Sequence, residues 1–140
     1  MESDPALPLL VVDAANVVGS VPDGWWRDRH GAAERLRDAL GPVAAHGLAA
    51  ADAPEQVRTG PLDVVLVVEG AARGVAGVPG VRVEAATGSG DDRVVELVTA
   101  AKSAAPHRFC LVVTADRELR ARARAAGADD VLGPRTVRPA

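Results

Sequence analysis

Carboxylates stand at the ends of the most apolar runs of this chain. Asp13 closes the first run in "VVDAANV", with Asn16 three residues on; Glu69 closes "VVLVVEG"; Asp116 ends "FCLVVTAD", with Thr114 two places before it. Asp91 and Asp92 lie side by side in "GSGDDR", behind two glycines and Ser89. Adjacent like charges repel, so a fold gains nothing from this pair unless water or a cation receives it. Carboxylates with one carboxamide, and no cysteine or histidine group beside them, suit hard oxygen-preferring ions such as Mg²⁺ or Mn²⁺. One or two such ions can orient a phosphodiester, activate water and stabilise the leaving oxygen. Arg93 and Arg117 each follow a candidate ligand directly and are placed to meet a phosphate. Thr114 or Ser89 can hold a water or a phosphate oxygen. The chemistry read from these residues is phosphoryl transfer to water.

Elements must carry these side chains to one place. Leu9 to Val12, Val64 to Val68 and Phe109 to Val113 are too short for helices, rich in β-branched residues and free of polar alternation. Such runs are strands buried on both faces, as in a parallel sheet covered by helices. "VRVEA", Val81 to Ala85, alternates and reads as another strand, and Val131 and Leu132 as the start of a short last one. A helix is expected from Trp25 to about Val43, with Ala33, Leu36, Leu40 and Val43 on one stripe. Val94, Leu97, Val98 and Ala101 keep helical spacing after Asp92, and Arg117 to Ala126 ends at Gly127, a C-terminal cap. Ala71 to Gly77 reads as one loose turn, Gly47 to Pro61 as a loop or frayed helix end, and "GPRTVRPA" as a tail. Strands alternating with helices give an open three-layer α/β/α fold with a mostly parallel sheet. Ligands of such sheets bind at the carboxyl ends of the strands, where these acids fall.

Composition narrows the alternatives. The 140 residues suffice for a single domain over 1–140, with its core at about 9–134 and short tails. A net charge of −3 argues against a surface that is wholly a nucleic-acid footprint, though not against a basic rim around an acidic centre. Fifteen of the sixteen basic residues are Arg, the mark of a GC-rich genome rather than of function. The single cysteine, Cys110, sits in an apolar run, so there is no internal disulfide and no cysteine zinc site, and it reads as a buried, inert thiol. No stretch has the length of a signal peptide's apolar region or of a membrane span, which implies a soluble cytoplasmic protein.

Plainer readings stand beside the chemical ones. Asp116 or Asp92 taken singly reads first as a helix cap. Glu69 divides evenly between a surface residue and a supporting group. Arg120, Arg122 and Arg124 read as a solvated helix face. Trp25 and Trp26 can stack a base, with packing on the first helix as the simpler assumption. "GSGDDR" supplies G-x-G, but Arg93 stands where a dinucleotide fingerprint needs its third glycine, and there is no Walker A sequence and no GxSxG elbow.

The order "VVDAANVVG", "VVLVVEG", "GSGDDRVVELV", "LVVTADRELRARARAAGA" resembles the NYN-type, PIN-like nucleases, closest to their YacP-like branch. The match runs over about residues 9–134: D-x-x-N on Asp13 and Asn16, an acidic helix start on Asp91 and Asp92, and T-x-D on Thr114 and Asp116. The resemblance implies a PIN-like α/β/α sandwich that cleaves RNA with Mg²⁺ or Mn²⁺. It implies that Asp13, Asp91 or Asp92, and Asp116 hold the metal, supported by Asn16. Two other functions fit the same acids: a metal-dependent nucleotide pyrophosphohydrolase, and a non-catalytic PIN-like module binding RNA or protein. A homodimer is compatible with either, and no membrane partner is expected.

Overall fold

The structure, a computed structural model, describes residues 4–137. Five strands form one sheet: β1 (Leu9–Asp13), β2 (Asp63–Val68), β3 (Val81–Ala85), β4 (Cys110–Val113) and β5 (Asp130–Leu132). Their order is β3-β2-β1-β4-β5 and every neighbouring pair is parallel. The chain enters at the central strand, builds outward to β3, then crosses to β4 on the other side. That reversal places a topological switch point between β1 and β4, where open α/β sheets leave a crevice for ligands.

Four α-helices complete the layers: α1 (Ala14–Val18), α2 (Arg29–His46), α3 (Gly90–Ala104) and α4 (Arg117–Ala126). Because successive strand residues point to opposite faces, the central strands feed two cores at once. Leu10, Val12, Val64, Leu66, Leu111 and Val113 pack with Leu36 and Leu40 of α2 on one face. Val11, Val65, Val67 and Val112 pack with Val94 and Val98 of α3 and Leu119 of α4 on the other. Cys110 lies in this second core, buried, with burial pushing its thiol up.

Three expectations change in detail. The helix expected from Trp25 begins at Arg29: Trp25–Arg27 is a separate 3-10 turn, and the Asp28 side chain caps α2 by accepting from the Gly31 N–H at 2.9 Å. Of the two readings of Gly47 to Pro61 the loop holds, though it carries a 3-10 turn, Glu55–Val57, and buries Leu48, Ala53 and Val57 in the core. The tail from Gly133 includes a 3-10 turn, Pro134–Thr136, and buried Val137, while residues 138–140 lie outside the described part.

At the amino edge of the sheet, buried Asp63 accepts from Arg108 at 2.7 Å and from Arg82 at 3.1 Å. Arg108 also donates to the carbonyls of Leu7 and Asp4, fastening the entry to β1. Among the described residues, no helix is long and apolar enough to cross a membrane.

Candidate active site

Strand register makes the site. Val12 pairs with Val113, so the next residues along, Asp13 and Thr114, emerge side by side at the carboxyl edge beside the switch point. The Thr114 hydroxyl, fully buried, donates to Asp13 Oδ2 at 3.0 Å and accepts the Asp116 N–H at 3.1 Å. Both capacities of this hydroxyl are therefore engaged in orienting two acids, which is a different task from holding a substrate oxygen. Asn16 sits one turn into α1, and its Oδ1 accepts the Ala115 N–H at 2.8 Å. That bond ties the β1–α1 corner to the β4–α4 corner. The Asp13 side chain also caps α1, through a long 3.5 Å contact with the Asn16 N–H.

On the other side of β1, Asp13 registers with Val67, and Glu69 leaves β2 two residues further on. Glu69 Oε2 accepts the N–H of Gly90, the first residue of α3, at 2.9 Å. The approach is close enough that a Cβ on Gly90 would stand 3.2 Å from Glu69 Oε1, so glycine serves the contact directly. Ser89 caps α3 by accepting the Asp92 N–H at 3.2 Å. Asp116 caps α4 through the Leu119 N–H at 2.8 Å. Three helix N-termini thus converge on the acids, and their partial positive charge offsets some of the crowding.

Asp13 carries the clearest electrostatic signature. Burial pushes its carboxyl from 3.8 up to about 6, against the hydrogen bonds from Thr114 and Asn16, and the charges of Asp91 and Glu69 push the same way. Asp91 is raised too, by partial burial and then by Asp116 and Glu69. Asp13, Glu69, Asp91 and Asp116 therefore form one interacting acidic group built from four segments.

Asp92 stands apart from it. Its side chain turns to α4, accepts from Arg122 at 2.8 Å, and that bond holds its carboxyl below the usual range. The adjacent acids of "GSGDDR" thus have different surroundings: Asp91 joins the cluster and Asp92 a surface ion pair. Arg93 is engaged by Glu84 at 3.3 Å and Glu96 at 3.1 Å, so its guanidinium is committed to ion pairs rather than left for a phosphate. Arg117 is exposed at the first position of α4. The supposedly solvated arginine face of α4 is in part structural: half-buried Arg120 donates to the Thr114 carbonyl at 2.8 Å, and Arg122 holds Asp92.

The donor set is all oxygen, the type that Mg²⁺ and Mn²⁺ prefer. Among the described residues, no three carboxylate, imidazole or thiol groups gather closely enough to enclose an ion. Mg²⁺ seldom needs such a cage, being held by one or two carboxylates with water and substrate phosphate. Asp13 and the acids that crowd it fit an ion bound in this open way.

The parallel sheet, its switch point and this acidic edge define an α/β/α chain with a PIN-like fold. The crystal structure of Rae1 (YacP) from Bacillus subtilis matches it with a TM-score of 0.66 at 17% identity, over 94% of this chain and 72% of that one. The likeness makes the fold YacP-like and speaks for the fold alone. A response regulator from Burkholderia pseudomallei aligns over 96% of this chain and 61% of its own at 20% identity, with a TM-score of only 0.33. No protein-family model and no curated protein matches the sequence.

Proposed function

We infer that this chain is a metal-dependent ribonuclease that hydrolyses RNA phosphodiester bonds at the carboxyl edge of its sheet. The observation that carries the reading is the buried Asp13 carboxylate, raised to about 6, with the charges of Asp91 and Glu69 pressing on it. A fold places uncompensated charge at such a position only at a cost, and a divalent ion with a phosphate removes that cost. Asp13 and Asp91 would hold Mg²⁺ or Mn²⁺ together with water and substrate phosphate, with Asp116 and Glu69 at the margin. When bound, such an ion supplies positive charge that neutralises the acids and polarises the scissile phosphodiester. Thr114 keeps Asp13 and Asp116 in register by bonding both. Asn16 holds the two strand-end corners together, so the acids on β1 and β4 keep their spacing. The PIN-like fold shared with Rae1 (YacP) agrees with this reading.

Cleavage of an end-labelled, mostly single-stranded RNA with Mn²⁺, beside an EDTA control and identically purified Asp13→Asn, tests it. Fragments that require the metal and vanish in the variant are expected. Equal cleavage by the variant, or release of pyrophosphate from free nucleotides with RNA left intact, overturns it.

A further inference from the structure

Beside the acids the same edge carries a hollow of 270 Å³, lined by Ala14, Ala15, Trp25, Arg29, Glu69 and Ala72 among others. Several of its walls are small side chains: Ala14 and Ala15 follow Asp13 directly, and Ala72 ends the turn after Glu69. The hollow meets the acidic group at Glu69, which lines it. Its volume lies at or below the roughly 300–1,000 Å³ of drug-sized pockets, room for one ring system rather than for a length of chain.

The walls favour a flat, π-rich occupant. Trp25 is half-buried and packs on the core, and the exposed Trp26 meets it edge-on at 6.1 Å and 88°. The Arg29 guanidinium lies over the Trp25 ring, 5.4 Å from its centroid. A tryptophan held in place beside a guanidinium is a stacking platform for any nucleobase. Glu69, on the opposite rim, only accepts hydrogen bonds and repels phosphate. Its carboxylate can accept from a base edge that presents N–H donors.

We propose that this hollow is a nucleobase subsite, in which one unpaired base displaces the exposed Arg29 guanidinium from the Trp25 face and stacks there with its N–H edge toward Glu69. The proposal rests on the nuclease reading for its biological sense, but its test does not depend on turnover. In Trp26→Phe, Trp25 is the sole indole, since the chain has two tryptophans. Its emission is followed in EDTA during titration with AMP, GMP, CMP and UMP, and with ribose 5-phosphate, which lacks the base. At least one nucleotide is expected to quench saturably at a concentration roughly 5- to 150-fold below ribose 5-phosphate, the span that stacking one base supports.

Ala15→Leu, an exposed position whose larger side chain fills the hollow without entering the core, is expected to abolish that difference at unchanged thermal stability. Quenching no stronger with any nucleotide than with ribose 5-phosphate overturns the proposal, as does undiminished quenching in Ala15→Leu. Base-dependent quenching without RNA cleavage removes the nuclease reading and leaves the subsite standing. Cleavage without such quenching removes only the subsite.

Discussion

Replacing Asp13 by asparagine is expected to strengthen the fold near neutral pH while abolishing cleavage. Burial raises the Asp13 carboxyl from 3.8 to about 6, a rise that corresponds to about 3 kcal/mol of cost once the group is ionised. Asparagine carries no charge and escapes that cost. Its amide offers only one accepting end, whereas Asp13 accepts from Thr114 at 3.0 Å and from the Asn16 N–H at 3.5 Å. Losing the longer contact removes about 1 kcal/mol, so the net gain at pH 7 is about 2 kcal/mol.

The sign follows from proton linkage. A carboxyl raised on folding binds more protons in the folded state between 3.8 and about 6, so its contribution is fully present below that window and is lost as pH rises through it. The advantage of Asp13→Asn therefore grows from about pH 4 to pH 6 and is flat above. Below the window only the lost hydrogen bond remains, and the variant becomes slightly the weaker. Urea unfolding of both proteins in EDTA, stepped from pH 4 to pH 7.5, reads this difference with other titrations largely cancelled. A variant less stable than the parent at pH 7, or a difference that ignores pH, refutes the reasoning.

Three further outcomes are expected. Asp91→Asn abolishes RNA cleavage, whereas Asp92→Asn, which breaks only a surface pair with Arg122, retains it; equal loss in both contradicts the division of roles. Thr114→Val removes the donor to Asp13 and the acceptor of the Asp116 N–H, costing about 1–3 kcal/mol in thermal or urea unfolding. The same change raises Asp13 further, so the acid limb of the pH–activity profile moves to higher pH. Arg108→Met takes a hydrogen-bonded partner from buried Asp63 and destabilises by about 3 kcal/mol, with cleavage per folded molecule unchanged because the pair lies at the other edge of the sheet.

The central strands were legible because they are buried on both faces. β1, β2 and β4 carry no polar alternation, and their positions follow within a residue or so from the apolar runs. Parallel pairing then sends every strand end the same way, which is why acids far apart in sequence meet. The start of α2 was missed since Trp25 continues the apolar pattern, while the cap that sets the boundary is Asp28. Ser89 three residues before Asp92 is the S-x-x-D spacing of a capping box, a local signal for its role as the cap of α3.

The facing of Asp91 was also readable: Asp91, Val94 and Val98 fall at i, i+3 and i+7, so the helix face that buries the valines carries Asp91 toward the sheet. The engagements of Arg93 with Glu84 and Arg120 with the Thr114 carbonyl depend on how α3 and α4 settle on the sheet, and short-range patterns do not contain them. Local sequence leaves Glu69 an even choice, because its contact with the Gly90 N–H joins segments 21 residues apart.

The most direct test of the central idea is whether the converging acids bind a divalent cation. Isothermal titration of Mn²⁺ at pH 7.5 into the parent, Asp13→Asn, Asp91→Asn and Asp92→Asn separates the acids by role, with the folded state of each confirmed by its unfolding curve. Saturable binding is expected for the parent and for Asp92→Asn, with binding lost or much weakened in the other two. Binding unaffected by Asp13→Asn and Asp91→Asn, or absent from the parent even with RNA present, contradicts it.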